Sequence, residues 1–218
     1  MTRFLRFAAT ALVALLASLS PAVGSDYAGD ISRWDFEVYL NDKKVGRHLF
    51  EVTEVDGMRR VRSEADFEYR ILFIPAYRYR HTNSERWADN CLLEFDAKTN
   101  ANGERIVASG ERAGGAFRVV GSEGAAELPA CVMTFAYWNP EFLEQPRLLN
   151  PQSGEYLDVT VEQLETELLE VRGSRVPATP YRLTADKLEL KIWYSPDEKW
   201  LGLESVAKGG NIIRYELS

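Results

Sequence analysis

The chain has two histidines, His48 and His81, and two cysteines, Cys91 and Cys131, so any reactive site must be assembled from very few groups. His81 follows Arg80 and precedes Glu85 by four residues, which makes an acid–base pair available if the fold encloses that stretch. No H-x-H or H-E-x-x-H spacing joins the histidines, and a metal site is not expected. Ser109-Gly110, Ser122-Glu123-Gly124 and Ser153-Gly154 lack the G-x-S-x-G elbow of a nucleophilic serine, and no glycine-rich phosphate loop follows a strand. These serines read as turn residues, and no cofactor is implied. The cysteines have no C-x-x-C spacing and no nearby histidine, so a catalytic thiol is the weakest reading. In an exported protein they read as one disulfide, worth at most about 4 kcal/mol by chain entropy, with two buried thiols as the alternative.

Several features point to export. Arg3 and Arg6 give a positive start, residues 7–19 are almost continuously apolar, and Pro21 precedes a cleavage pattern of Ala22 and Gly24. Residues 1–24 therefore read as a signal peptide and residues 25–218 as the mature domain. The apolar run is shorter than the roughly 20 residues of a membrane-crossing helix, so no stable span is expected after processing. The junction has no cysteine to accept a lipid. Of 218 residues, 45% are hydrophobic, enough for a real core. Losing Arg3 and Arg6 takes the 26 basic residues to 24 against 33 acidic ones, a change in formal charge from -7 to -9. That balance argues against nucleic acid as a partner. The expected location is periplasmic or secreted.

The elements that must position these groups read as strands. Trp34, Phe36, Val38 and Leu40 alternate with polar neighbours, a turn follows at residues 41–44, and residues 45–55 resume an extended pattern. Asp56-Gly57 supplies the next turn, since both tolerate positive φ. Val61, Ala65, Phe67, Tyr69, Ile71 and Phe73 then recur at period two, and Pro75 interrupts the ladder. Beyond it Tyr77, Tyr79 and His81 share one face while Arg78, Arg80 and Thr82 share the other. Asp89-Asn90 turns the chain into a strand from Cys91, which the polar residues 98–103 end. Asn139-Pro140-Glu141-Phe142 reads as a capped helix start that Pro146 limits to a turn or two. Residues 158–171 fit a helix or two strands equally. From Tyr181 the alternation of Leu188, Leu190, Ile192 and Tyr194, a turn at residues 195–199 and strands at 201–207 and 212–217 close the chain. The pattern predicts one all-β domain of about ten to twelve strands. Its expected form is a strongly curved antiparallel sheet, an open or closed β-barrel with a short helix in the crossover.

Residues 34–52, 137–159 and 176–204 resemble the bacterial DUF6134 family of exported proteins of unknown function, which is akin to the DUF3108 group. The markers are Gly46, Tyr137-Trp138-Asn139-Pro140, Leu149-Asn150 with Gly154-Glu155, and Trp193-Tyr194. The resemblance implies strands for residues 159–171 and an outline similar to periplasmic lipoprotein carriers with an open half-barrel. By fold analogy the leading expectation is a non-catalytic exported protein that binds a lipid or other apolar molecule in the concavity of its sheet. Phe67, Tyr69, Phe73, Tyr77, Tyr79, Trp138 and Trp193 would form its walls, with Arg78, Arg80 and His81 near the opening. Two alternatives stand beside it. One is a filled structural module that meets an envelope protein partner, and the other is an enzyme with an acid–base site around His81.

Overall fold

The computed structural model describes residues 30–71, 74–186 and 188–218, and strands make up most of it. Eight come first: β1 (Asp30–Leu40), β2 (Lys43–Val55), β3 (Met58–Ile71), β4 (Ile74–Ala88), β5 (Cys91–Ala101), β6 (Glu104–Ala113), β7 (Ala116–Gly121) and β8 (Gly124–Pro129). The turn between β2 and β3 holds Asp56 and Gly57 at φ of 52° and 73°, the left-handed geometry that fits a right-twisted hairpin. Strand β5 continues through residues 98–101, where a loop was expected. Lys98 and Asn100 face solvent there while Ala97 and Thr99 are buried, so the polar run is the outer half of an alternation.

After Pro129 the chain leaves the sheet for a crossover. The crossover contains a five-residue 3-10 turn, Pro140–Glu144, and a ribbon of β9 (Arg147–Leu149) with β10 (Tyr156–Asp158). The chain returns as β11 (Thr160–Gln163), β12 (Glu167–Val171), β13 (Ser174–Ala185), β14 (Leu188–Tyr194), β15 (Trp200–Val206) and β16 (Ile212–Leu217). Residues 158–171 thus resolve as strands, both pairing with β13. The sheet order is β11-β13-β14-β15-β16-β1-β2-β3-β4-β5-β6-β7-β8, with β12 beside β11 on β13. Pairing of β1 with β16, from Phe36 opposite Leu217 to Leu40 opposite Ile213, joins the two halves of the chain.

The expected barrel does not form. One antiparallel sheet holds 14 strands, more than the ten to twelve expected, and it is neither closed nor strongly curled. Among the described residues β8 does not pair with β11 or β12. Closure would need those end strands to form a ladder, but they are short, and Pro129, which has no N–H, ends β8 where the chain departs. The expected short helix is only a 3-10 turn. Asn139 caps it, accepting from the Glu141 N–H at 3.2 Å, but Gln145 is forced extended ahead of Pro146.

The crossover supplies what closure would have supplied, a second layer over one face of the sheet. Cys91 at the start of β5 is disulfide-bonded to Cys131, the Leu92 N–H donates to the Val132 carbonyl at 3.0 Å, and the Leu149 N–H donates to the Met133 carbonyl at 2.8 Å. Phe142, Leu148 and Leu149 of the crossover are fully buried in one cluster with Phe36, Trp87, Phe95, Phe117 and Trp200. Burial of each such side chain contributes about 1.5–3 kcal/mol. No described helix is long and apolar enough to cross a membrane.

Candidate functional site

Period two along β4 puts Tyr79, His81, Asn83, Glu85 and Trp87 on the face covered by the crossover. Register places Phe67, Ala65, Ser63 and Val61 of β3 opposite the first four in turn. Strand β2 then brings His48 beside Ala65 and Phe50 beside Ser63. Glycine is required at Gly46, opposite Phe67, because a Cβ there would run into the backbone carbonyl of Asp66. Crossover residues 135–138 and 150–152 stand against this floor, and Leu190, Leu203, Ser205 and Tyr215 of β14 to β16 wall one side. The space left between them is a pocket of about 340 Å³. That lies within the roughly 300–1,000 Å³ of small-molecule sites. Three larger depressions, about 1010, 790 and 600 Å³, are more open to solvent and have charged side chains such as Arg62, Glu64, Arg80 and Asp158 in their linings.

The pocket floor is polar and buried. His48 Nε2 is 2.7 Å from Ser63 Oγ, and its Nδ1 is 3.3 Å from the Tyr215 hydroxyl. His81 Nδ1 is 2.8 Å from Thr99 Oγ1. Burial pulls His81 down to about 4 and His48 well below the usual range, with His81 further disfavouring charge on His48. Both imidazoles are neutral near pH 7. Glu85 accepts from Asn83 Nδ2 and from Trp87 Nε1, each at 2.9 Å. Burial still pushes its carboxyl up, against the opposing hydrogen bonds from Asn83, Trp87 and Thr134. Asn83 Oδ1 is buried with no hydrogen-bond partner among the described residues. The Tyr79 hydroxyl donates to Gln152 Oε1 at 2.8 Å, and burial pushes the Tyr79, Tyr137 and Tyr215 phenols up, so they stay neutral. Among the described residues no lysine or arginine lines the pocket.

One contact resembles a nucleophile with its base, the 2.7 Å approach of Ser63 Oγ to His48 Nε2. Both residues sit in mid-strand between two paired neighbours, where backbone N–H groups are engaged in the ladders and cannot stabilise an oxyanion. The acid–base pair considered for His81 is not assembled. His81 bonds Thr99, Glu85 bonds Asn83 and Trp87, and Asn83 stands between them on β4.

The residues expected from sequence divide between the faces. Phe67, Tyr79, His81 and Trp138 line the pocket, and Tyr77, 43% exposed, stands at its edge. Phe67 and Tyr79 stack at 5.3 Å. Trp138 packs edge-on against Trp87 at 5.6 Å, and the Arg59 guanidinium lies 5.0 Å from its ring. Tyr69 shares the inner face but does not line the pocket, and its ring meets Lys43 Nζ at 4.8 Å. Arg78 and Arg80 point away from it, paired with Glu68 at 2.6 Å and Asp66 at 3.3 Å. Trp193 also lies on the other face, where its Nε1 donates to Glu167 of β12 at 2.7 Å. Phe73 lies outside the described residues, as do residues 1–24. Ser63, Asn83 and Tyr215 were missed, although extending the parity of Tyr79 and His81 by one step reaches Asn83.

A family model described as a domain of unknown function (DUF6134) matches residues 36–218. No curated protein matches the chain. A crystal structure of a β-barrel-like protein of the domain of unknown function DUF1849 from Brucella abortus is similar to it. The two share a TM-score of 0.63 at 9% identity, over 88% of this chain and 96% of that one. At such identity the likeness concerns the fold alone.

Proposed function

The chain belongs to the DUF6134 family, a domain of unknown function, and we propose that it binds a small, largely apolar molecule between its sheet and crossover without converting it. The observation that carries this reading is the pocket of about 340 Å³ with Phe50, Phe67, Phe135, Leu190 and Leu203 on its walls. A module built only for structure or for a protein partner would have a filled interior and an exposed Trp138, whereas Trp138 is half-buried at the pocket. We further propose that the protein works in the periplasm or outside the cell. The signal-peptide pattern of residues 1–24 supports this, as does the Cys91–Cys131 bridge, because disulfides persist in oxidising compartments.

The test is isolation of the mature protein from its native envelope, followed by native mass spectrometry and solvent extraction. The expected result is a reproducible small-molecule adduct that organic solvent releases. An empty protein that co-purifies with one protein partner would contradict the reading and favour an interaction module.

A further inference from the structure

We infer that the ligand carries a neutral hydroxyl head group and that the pocket rejects anionic acyl chains. This deepens the binding reading above and rests on it. Asn83 is 7% exposed, lines the pocket and leaves its Oδ1 without a partner among the described residues. Its amide orientation follows from its neighbour, since Nδ2 faces the Glu85 carboxylate at 2.9 Å. A buried acceptor with no donor is costly, and a ligand O–H relieves that cost where a carboxylate or an alkane end cannot.

Charge gives the same answer. The groups that would welcome an anion are turned away from the pocket, with Arg78 and Arg80 engaged by Glu68 and Asp66 on the opposite face. Within the pocket, Glu85 is a buried acid and both histidines are neutral. A carboxylate head group would lose its water beside another acid and find no cation. An ammonium could donate to Asn83 Oδ1 but would lose its water beside a carboxyl that burial pushes toward its neutral form, so it gains no firm counter-charge there. A hydroxyl meets the unpaired Asn83 Oδ1 without burying a new charge.

The test is titration calorimetry of the purified mature protein at pH 7.5 with 1-decanol, decanoate and decylamine. Their shared chain length isolates the head group. The inference expects 1-decanol to bind at least about tenfold tighter than decanoate and tighter than decylamine. It also expects Asn83→Leu to narrow the gap between the alcohol and the acid. The wild-type comparison stands even if that variant does not fold. Decanoate binding as tightly as decanol would overturn the inference and leave the apolar pocket intact. Decylamine binding tightest would overturn the requirement for a neutral head group. If none of the three binds, the binding reading falls and the inference falls with it.

Discussion

The hydroxyl of Tyr194 donates to the backbone carbonyl of Tyr137 at 2.6 Å, which fastens β14 to a pocket-lining residue of the crossover. Tyr194→Phe removes the donor and leaves that carbonyl unpaired. The expected cost is about 1–2 kcal/mol, read as a lower urea midpoint at unchanged slope. An unchanged midpoint would mean that other contacts hold the crossover.

The disulfide fastens the start of the crossover, six residues before Tyr137. Cys91 and Cys131 are 40 residues apart, and a loop of that size is worth at most about 4 kcal/mol by chain entropy. The double variant Cys91→Ser with Cys131→Ser should lose stability on that scale and bind decanol more weakly, because the crossover would keep only non-covalent ties to β5, such as the Leu92–Val132 hydrogen bond. Urea unfolding and calorimetry on the same sample check both effects. Full stability in the double variant would contradict the tethering role.

Acid should destabilise the protein before carboxylate titration begins. His81 is pulled down to about 4 and His48 well below 6.5, so the fold keeps both neutral while the unfolded chain takes up protons near pH 6.5. The unfolded state therefore binds more protons as pH falls from 6.5 toward 4, and stability drops. For His81 the full effect is about 3 kcal/mol. Glu85 works in the opposite sense, because its raised carboxyl lets the fold bind a proton first. His48 is held well below its usual range and His81 at about 4, larger displacements than that of Glu85, so the imidazoles dominate. Urea midpoints at pH 7.5, 6 and 5 should fall in that order, and less steeply in His81→Asn. A flat or rising series in the wild type would contradict the buried neutral state.

Gly110 on β6 makes room for two stacked rings. A Cβ at this position would lie 2.6 Å from Phe117 Cε1 and 2.9 Å from Phe95 Cε1, with the Arg118 carbonyl oxygen at 2.8 Å. Gly110→Ala should cost about 1–3 kcal/mol as the rings are driven apart. Thermal unfolding reads the loss, and an unchanged Tm would show that Phe95 and Phe117 can move aside.

Much of the fold was legible from local chemistry. Asp56-Gly57 and Asp89-Asn90 form turns where residues tolerant of positive φ separate alternating runs, and parity on β4 separates Tyr79 and His81 from Arg78 and Arg80. What failed was register and edge pairing. The two arginines could be assigned to a pocket mouth only while their partners were unknown, and Glu68 and Asp66 become their partners through the pairing of β3 with β4. Trp193 could have been placed correctly, since the alternation that turns Leu190 and Ile192 inward turns it outward. Its size suggested a cavity wall instead. Whether a sheet closes depends on its two end strands, and periodicity within a strand carries no information about them. The crossover residues 135–138 have no periodicity at all, yet they make the pocket.

If the space between sheet and crossover is a binding site, filling it with a bulky side chain must abolish binding. Ser205 of β15 lines the pocket and is only half-buried, so Ser205→Trp introduces bulk there with little demand on the core. The measurement is 1-decanol titration of the wild type and Ser205→Trp, with circular dichroism confirming the same fold in both. Saturable binding in the wild type and none in the variant is expected, and equal binding in the two proteins would mean that the space between sheet and crossover is not the binding site.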